Sequence, residues 1–112
     1  MKKRQWKVNL FQTARGDYPV KEFAEKQDIT TQNKIFHSVD LLVQGGPFLK
    51  PPYIKKLQSD LYELRIRGKV QVRIFYTMKN NEYYLLHAFR KKSQKTPKKE
   101  IQIAIDRIKE IT

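Results

Sequence analysis

Cysteine is absent, so neither a disulfide framework nor a thiolate metal site can form, and the chain is indifferent to redox compartment. Long apolar runs are absent too: nothing approaches the ~20 residues of a membrane-spanning helix. The basic start Met1–Arg4 is followed by Gln5, Lys7 and Asn9 where a signal peptide would carry its apolar region. A soluble, unexported, cytoplasmic protein with no membrane partner is expected. Acid is scarce, with 11 Asp and Glu against 24 Lys and Arg, and between Tyr83 and Lys99 there is none. His37 and His87 are far apart and no two carboxylates have ligand spacing, so neither a metal nor another cofactor is expected.

What is present is positive charge, unevenly placed. The net charge is +13 over 112 residues; residues 1 to 54 hold nine cations and five acids, residues 55 to 112 fifteen and six, so the halves carry +4 and +9. Such an imbalance favours a polyanionic partner. The length suits one domain, 1–112, with one core.

The hydrophobic pattern predicts the order β-α-α-β-β-β-α, an α+β fold. Trp6, Val8 and Leu10 alternate with polar residues and predict a strand over 5–12. Pro19 opens a short helix reaching Gln27; Asp28 or Thr30 caps a second, carrying Ile35, Phe36, Val39, Leu42 and Val43, which Gly45-Gly46 stops. Three prolines in residues 47–52 predict a crossing loop without regular structure. Alternation in Tyr62-Leu64-Ile66, Val70-Val72-Ile74-Tyr76 and Tyr84-Leu86-Ala88 predicts three antiparallel strands with one buried face, and Ile101, Ala104, Ile105 and Ile108 line a terminal helix after Thr96-Pro97.

The opposite face of those strands is expected to stay open, with the helices packed on one side only. It would display Glu63, Arg65, Arg67, Gln71, Arg73, Phe75, Leu85, His87, Phe89 and Lys91, cations and rings on one surface, as sheets that bind RNA do. Three-residue loops at 67–69 and 79–81 would pair Leu64 with Val72 and Ile74 with Leu86, setting Glu63, Arg73 and His87 in one row. RNA can be cut when its own 2′-hydroxyl attacks the neighbouring phosphate. That needs a proton acceptor, a charge to stabilise the phosphoryl group, for which arginine is suited, and a proton donor. Glu63 or His87 could exchange protons, as could a lysine such as Lys91 whose pKa other cations pull toward neutrality. Arg67, Phe75, Phe89, Arg90, Lys92 and Lys95 would hold the RNA. The plainer readings are an ordinary Glu63–Arg73 ion pair, a structural His87, a solvated cationic rim, and Phe75 with Phe89 in a small second core.

The blocks Gly45-Gly46-Pro47-Phe48, Pro52-Tyr53-Ile54-Lys55-Lys56-Leu57, Leu61-Tyr62-Glu63-Leu64-Arg65, Arg73-Ile74-Phe75-Tyr76 and Leu85 through Pro97, in this order and spacing, resemble the phage-derived, HigB-like branch of the RelE superfamily of toxins. The resemblance implies a RelE-like fold and a type II toxin-antitoxin toxin, an endoribonuclease or mRNA interferase. Such a toxin cleaves messenger RNA on the translating ribosome and is silenced by a separate antitoxin, of the DNA-binding helix-turn-helix type. Carried over by position, it assigns the cationic strand sites to Arg65 and Arg73 and the last-strand contributions to His87, Arg90, Lys91 or Lys92. The alternative is a noncatalytic RNA- or ribosome-binding module of the same fold.

Overall fold

The computed structural model describes residues 5–111; the basic start Met1–Arg4 lies outside them. It is an α+β arrangement of five strands and three helices: β1 (Val8–Leu10), α1 (Pro19–Glu25), α2 (Ile29–Gly45), β2 (Ile54–Gln58), β3 (Leu61–Ile66), β4 (Val72–Lys79), β5 (Glu82–Arg90) and α3 (Lys98–Ile111). The sheet order is β1-β5-β4-β3-β2. It is mixed rather than wholly antiparallel, because β1 runs parallel to β5 along the edge. The first strand is shorter than its alternation suggested, and β2, whose Lys55-Lys56 breaks alternation, is an added strand held by pairing with β3. Among the described residues no helix is long and apolar enough to cross a membrane.

Local chemistry sets the helix ends. Pro19 begins α1, and the Asp28 carboxylate accepts the Thr31 amide at 2.8 Å to open α2; the Thr31 side chain, and then this amide, hold its pKa below the ordinary value. α2 stops at Gly46, whose φ is +51° and where any Cβ would collide with the Trp6 indole. The proline-rich stretch then makes one 3-10 turn, Gly46–Phe48, where no regular structure was expected.

The three-residue loops predicted from alternation are replaced by other connections. β3 and β4 join through a longer loop, so Leu64 faces Ile74 rather than Val72. This slip of two residues leaves every side chain on its expected face. β4 and β5 join through Asn80-Asn81 alone, both at positive φ, a two-residue turn that suits asparagine. A bulge then restores part of the register: Phe75 pairs with His87 but Tyr76 with Leu85, leaving Leu86 as the extra residue. Residues before the bulge therefore exchange faces, so Tyr83 and Leu85 join Leu64, Ile74 and Tyr76, while Tyr84 and Leu86 go to the other side.

That other side of the sheet is covered as well. α1 and α2 cover one face through Val20, Ile35 and Leu42, but α3 lies across the opposite face, where Ile101, Ala104, Ile105 and Ile108 pack on Leu61, Phe75, Leu86 and Phe89. The helices are not all on one side, and β4 is buried from Val72 to Thr77 on both. Burying each large apolar side chain contributes about 1.5–3 kcal/mol. Leaving Phe75, Leu86 and Phe89 in water would thus forfeit a sum comparable with the ~5–15 kcal/mol net stability of a domain. An open cleft remains at the end where β4 begins and β5 runs out, lined by Gln71, Arg73 and Lys91.

Candidate active site

Glu63 lies buried behind that cleft, next to Arg73. β3 turns its side chain into the α3-side face, where it is 1% exposed, and its Oε1 lies 2.9 Å from Arg65 Nε and 3.8 Å from Arg73 Nε. The Thr96 hydroxyl donates to Oε2 at 3.4 Å. The predicted row is shifted by the longer loop: Arg65 faces Arg73 and then Phe89, while Glu63 faces Phe75 and then His87. Glu63 therefore meets Arg73 on the diagonal, and one carboxylate holds two guanidinium groups together.

Arg73 is nearly enclosed. Its Nη1 donates to the Val72 carbonyl at 3.1 Å and to Gln71 Oε1 at 3.4 Å, while the buried Nε has no hydrogen-bond partner. Burial draws its pKa down, Glu63 opposes this, and Arg65 and Arg67 add to it; the guanidinium stays charged at any physiological pH. That Nε faces the Glu63 carboxylate at 3.8 Å, so its charge is compensated from within the protein. Arg73 lines an open cleft of about 600 Å³ with Gln71, Lys91, Lys92, Ser93 and Gln94. Lys91, anchored by its backbone amide to the Gln71 carbonyl at 2.8 Å, has its pKa lowered by burial; Glu63 resists, and Arg73, Arg65 and Lys55 push it further down. The crowding of a lysine by cations, anticipated from the sequence, is present here.

His87 is placed differently from expectation. Its Nε2 is 3.2 Å from Glu100 Oε1 and its Nδ1 3.4 Å from Arg107 Nη1, both on α3. Arginine can only donate, so Nδ1 accepts and Nε2–H donates to Glu100, which selects one neutral tautomer. Burial lowers its pKa, and the raising effect of Glu100 does not overcome this. Arg107 also donates to the Leu86 carbonyl at the bulge (2.7 Å) and lies over the Phe11 ring at 5.3 Å.

His87 thus fastens α3 to the sheet, and a pH experiment follows. Because its folded pKa lies below the unfolded value near 6.5, the unfolded chain takes up the proton first. Stability is lost as pH falls through about 6.5 toward the folded pKa. Urea midpoints between pH 8 and 5 should fall more steeply for the wild type than for His87→Gln; parallel curves would show that this histidine titrates alike in both states.

The remaining sequence candidates separate. Phe75 is fully buried and Phe89 7% exposed, in edge-on contact with each other at 5.1 Å, so they belong to the sheet–α3 core and have no free faces on which RNA bases could stack. Arg90, opposite Val72, lies on the α1–α2 side and close enough to Asp28 to act on it, away from the cleft. Arg67 is exposed beyond β3, Lys92 lines the cleft, and Lys95 is exposed in the following loop, where its carbonyl accepts from Ser93. The sequence reading missed Gln71 and Thr96 as partners of Arg73 and Glu63, Lys55 as a neighbour of Lys91, and the Glu100–Arg107 clamp. Alternation had put Gln71 on the correct face; the others depend on β2 and α3 being brought to the site.

Residues 22–109, most of the chain, match the model of a family described as phage-derived protein Gp49-like (DUF891). No curated protein matches the chain.

Proposed function

The chain belongs to the phage-derived Gp49-like family, a toxin-like family of the RelE kind. From that premise we propose that it is a HigB-like toxin of a type II toxin-antitoxin system. In this reading it is a metal-independent endoribonuclease that cleaves messenger RNA on the translating ribosome, in the cytoplasm. The observation that carries this reading is the open cleft lined by both Arg73 and Lys91, the lysine's pKa lowered by burial and neighbouring cations.

The chemistry uses the RNA's own nucleophile. The 2′-oxygen forms a bond to the adjacent phosphorus as the bond to the 5′-oxygen breaks, leaving a 2′,3′-cyclic phosphate and a 5′-hydroxyl. Arg73 stabilises the charge that grows on the phosphoryl oxygens, with Arg65 behind it. The neutral fraction of Lys91 takes the 2′-proton, and the protonated lysine returns it to the leaving oxygen. Glu63 holds the two arginines in position, and clamped His87 stays outside the proton path. The antitoxin, of helix-turn-helix type, silences the toxin by bulk on the helical side, where Ile29 and Phe36 are exposed.

Primer extension on messenger RNA after controlled expression is expected to give discrete new ends within translated regions. Lys91→Arg, which keeps the charge but cannot give up its proton, should weaken those ends by about 10²-fold or more while RNA binding persists. New ends of undiminished intensity would remove Lys91 from proton transfer. An absence of new ends with the wild type would leave the noncatalytic RNA- or ribosome-binding module.

A further inference from the structure

A second concave site lies on the other side of the β3 end. α2 and the segment before β2 enclose a groove of about 370 Å³ whose lining includes Lys34, His37, Ser38, Tyr53, Arg65 and Arg67, and no carboxylate. Its walls are tied together. The Arg65 amide donates to the Tyr53 carbonyl at 2.7 Å, setting the tyrosine beside the arginine. Lys34 Nζ reaches the Arg67 carbonyl at 3.5 Å and straps α2 to the strand end. Tyr53 is 50% exposed, so it has ring surface to offer.

Arg65 lies between the two sites. It lines this groove while its Nε is bound to Glu63, and its register partner across the sheet is Arg73, which lines the cleft. Directly opposed residues sit ~5 Å apart. A chain of phosphates passing over the end of β3 would therefore meet cations continuously, from Lys34 and Arg67 through Arg65 to Arg73 and Lys91. The volume is at the small end for ligand sites, which run from ~300 Å³ upward, and suits a single nucleotide rather than a protein element. An aromatic ring beside a run of cations is the combination that binds single-stranded nucleic acid without a duplex.

We propose that this groove holds a nucleotide flanking the scissile phosphate of the RNA substrate, with the base against Tyr53 and the phosphate between Lys34 and Arg67. This rests on the reading of the cleft as a ribonuclease site and extends it by a flanking-nucleotide subsite. His37 and Ser38 stand along the same wall and supply groups able to bond to base or sugar edges.

The charge and the ring leave different signatures in a binding experiment. Anisotropy with a 2′-O-methyl oligoribonucleotide, which cannot be cleaved, is measured against salt for the wild type, Lys34→Ala, Tyr53→Ala and Lys21→Ala, the last removing an equal charge from exposed α1. Lys34→Ala is expected to reduce the slope of log K against log salt by roughly 0.7. Tyr53→Ala should weaken binding roughly fivefold or more with the slope unchanged, as loss of one stacked base does. Lys21→Ala should resemble the wild type.

Wild-type affinity and slope in both groove variants would overturn the groove while leaving the cleft reading intact, as would an equal slope change from Lys21→Ala. The same holds if the two groove variants bind RNA normally but lose affinity for the antitoxin, which would make the groove a protein-docking site. The groove variants should produce the same ends weakened in step with their lost affinity, whereas Arg73→Ala should produce none. A wild type that binds no RNA and makes no ends would overturn both readings together.

Discussion

Arg73→Ala is expected to reduce RNA cleavage by about 10²- to 10³-fold, the loss that follows removal of one preorganised charge aimed at a developing anion. Growth inhibition should disappear with it. The variant should nevertheless fold, because of how the charges are counted. Glu63 faces two arginines, at 2.9 Å and 3.8 Å, so losing Arg73 leaves Glu63 paired with Arg65 at the shorter distance. Gln71, whose Oε1 accepts from Arg73, lines the open cleft, where water can take the place of the guanidinium. The check is a single-turnover cleavage rate beside a urea melt. Full activity in a folded Arg73→Ala protein would take the phosphoryl contact away from this residue.

Removing the carboxylate instead should damage the fold. Glu63→Ala leaves Arg73 almost without solvent, Arg65 beside it and Lys91 nearby, with no anion among them. Breaking a buried pair by deleting one partner costs about 3–5 kcal/mol, because the remaining charge is desolvated and uncompensated. That is a large share of a small domain's stability. The urea midpoint should fall accordingly at an unchanged denaturant slope. Glu63→Gln, which keeps the volume and one acceptor oxygen, should recover the packing but not the charge and fall between. The contrast with Arg73→Ala separates scaffold from chemistry: Glu63 is needed to assemble the arginines, Arg73 to act on the substrate. A change below ~1 kcal/mol for Glu63→Ala would mean that water reaches the arginines well enough to replace the carboxylate.

Much of this molecule follows from local sequence chemistry. The Asp28 cap, the Gly45-Gly46 stop, the proline-started first helix and the apolar stripe of α3 each depend on residues within a turn or two of one another, and all are present in the structure. The acid-free run after Tyr83 located the basic end, and alternation put Glu63, Arg65, Gln71 and Arg73 on one face.

Register was decided elsewhere. A strand pattern of period two specifies which face a side chain occupies but not which partner it meets, since a slip of two residues preserves every face. The step from Leu64–Val72 to Leu64–Ile74 was invisible for that reason, and with it the move of Arg73 from beside Glu63 to its diagonal. Tyr83, Tyr84, Leu85 and Leu86 are apolar at both parities, so the run is equally content on either side of a bulge, and only packing between two cores selected its place. The same packing put α3 over Phe75 and Phe89, clamped His87 between Glu100 and Arg107, and left Arg73, Lys91 and Lys92 as charged groups lining the cleft. Periodicity is a property of neighbours along the chain; these contacts join residues far apart in it, and their energy exists only once both faces of the sheet are covered.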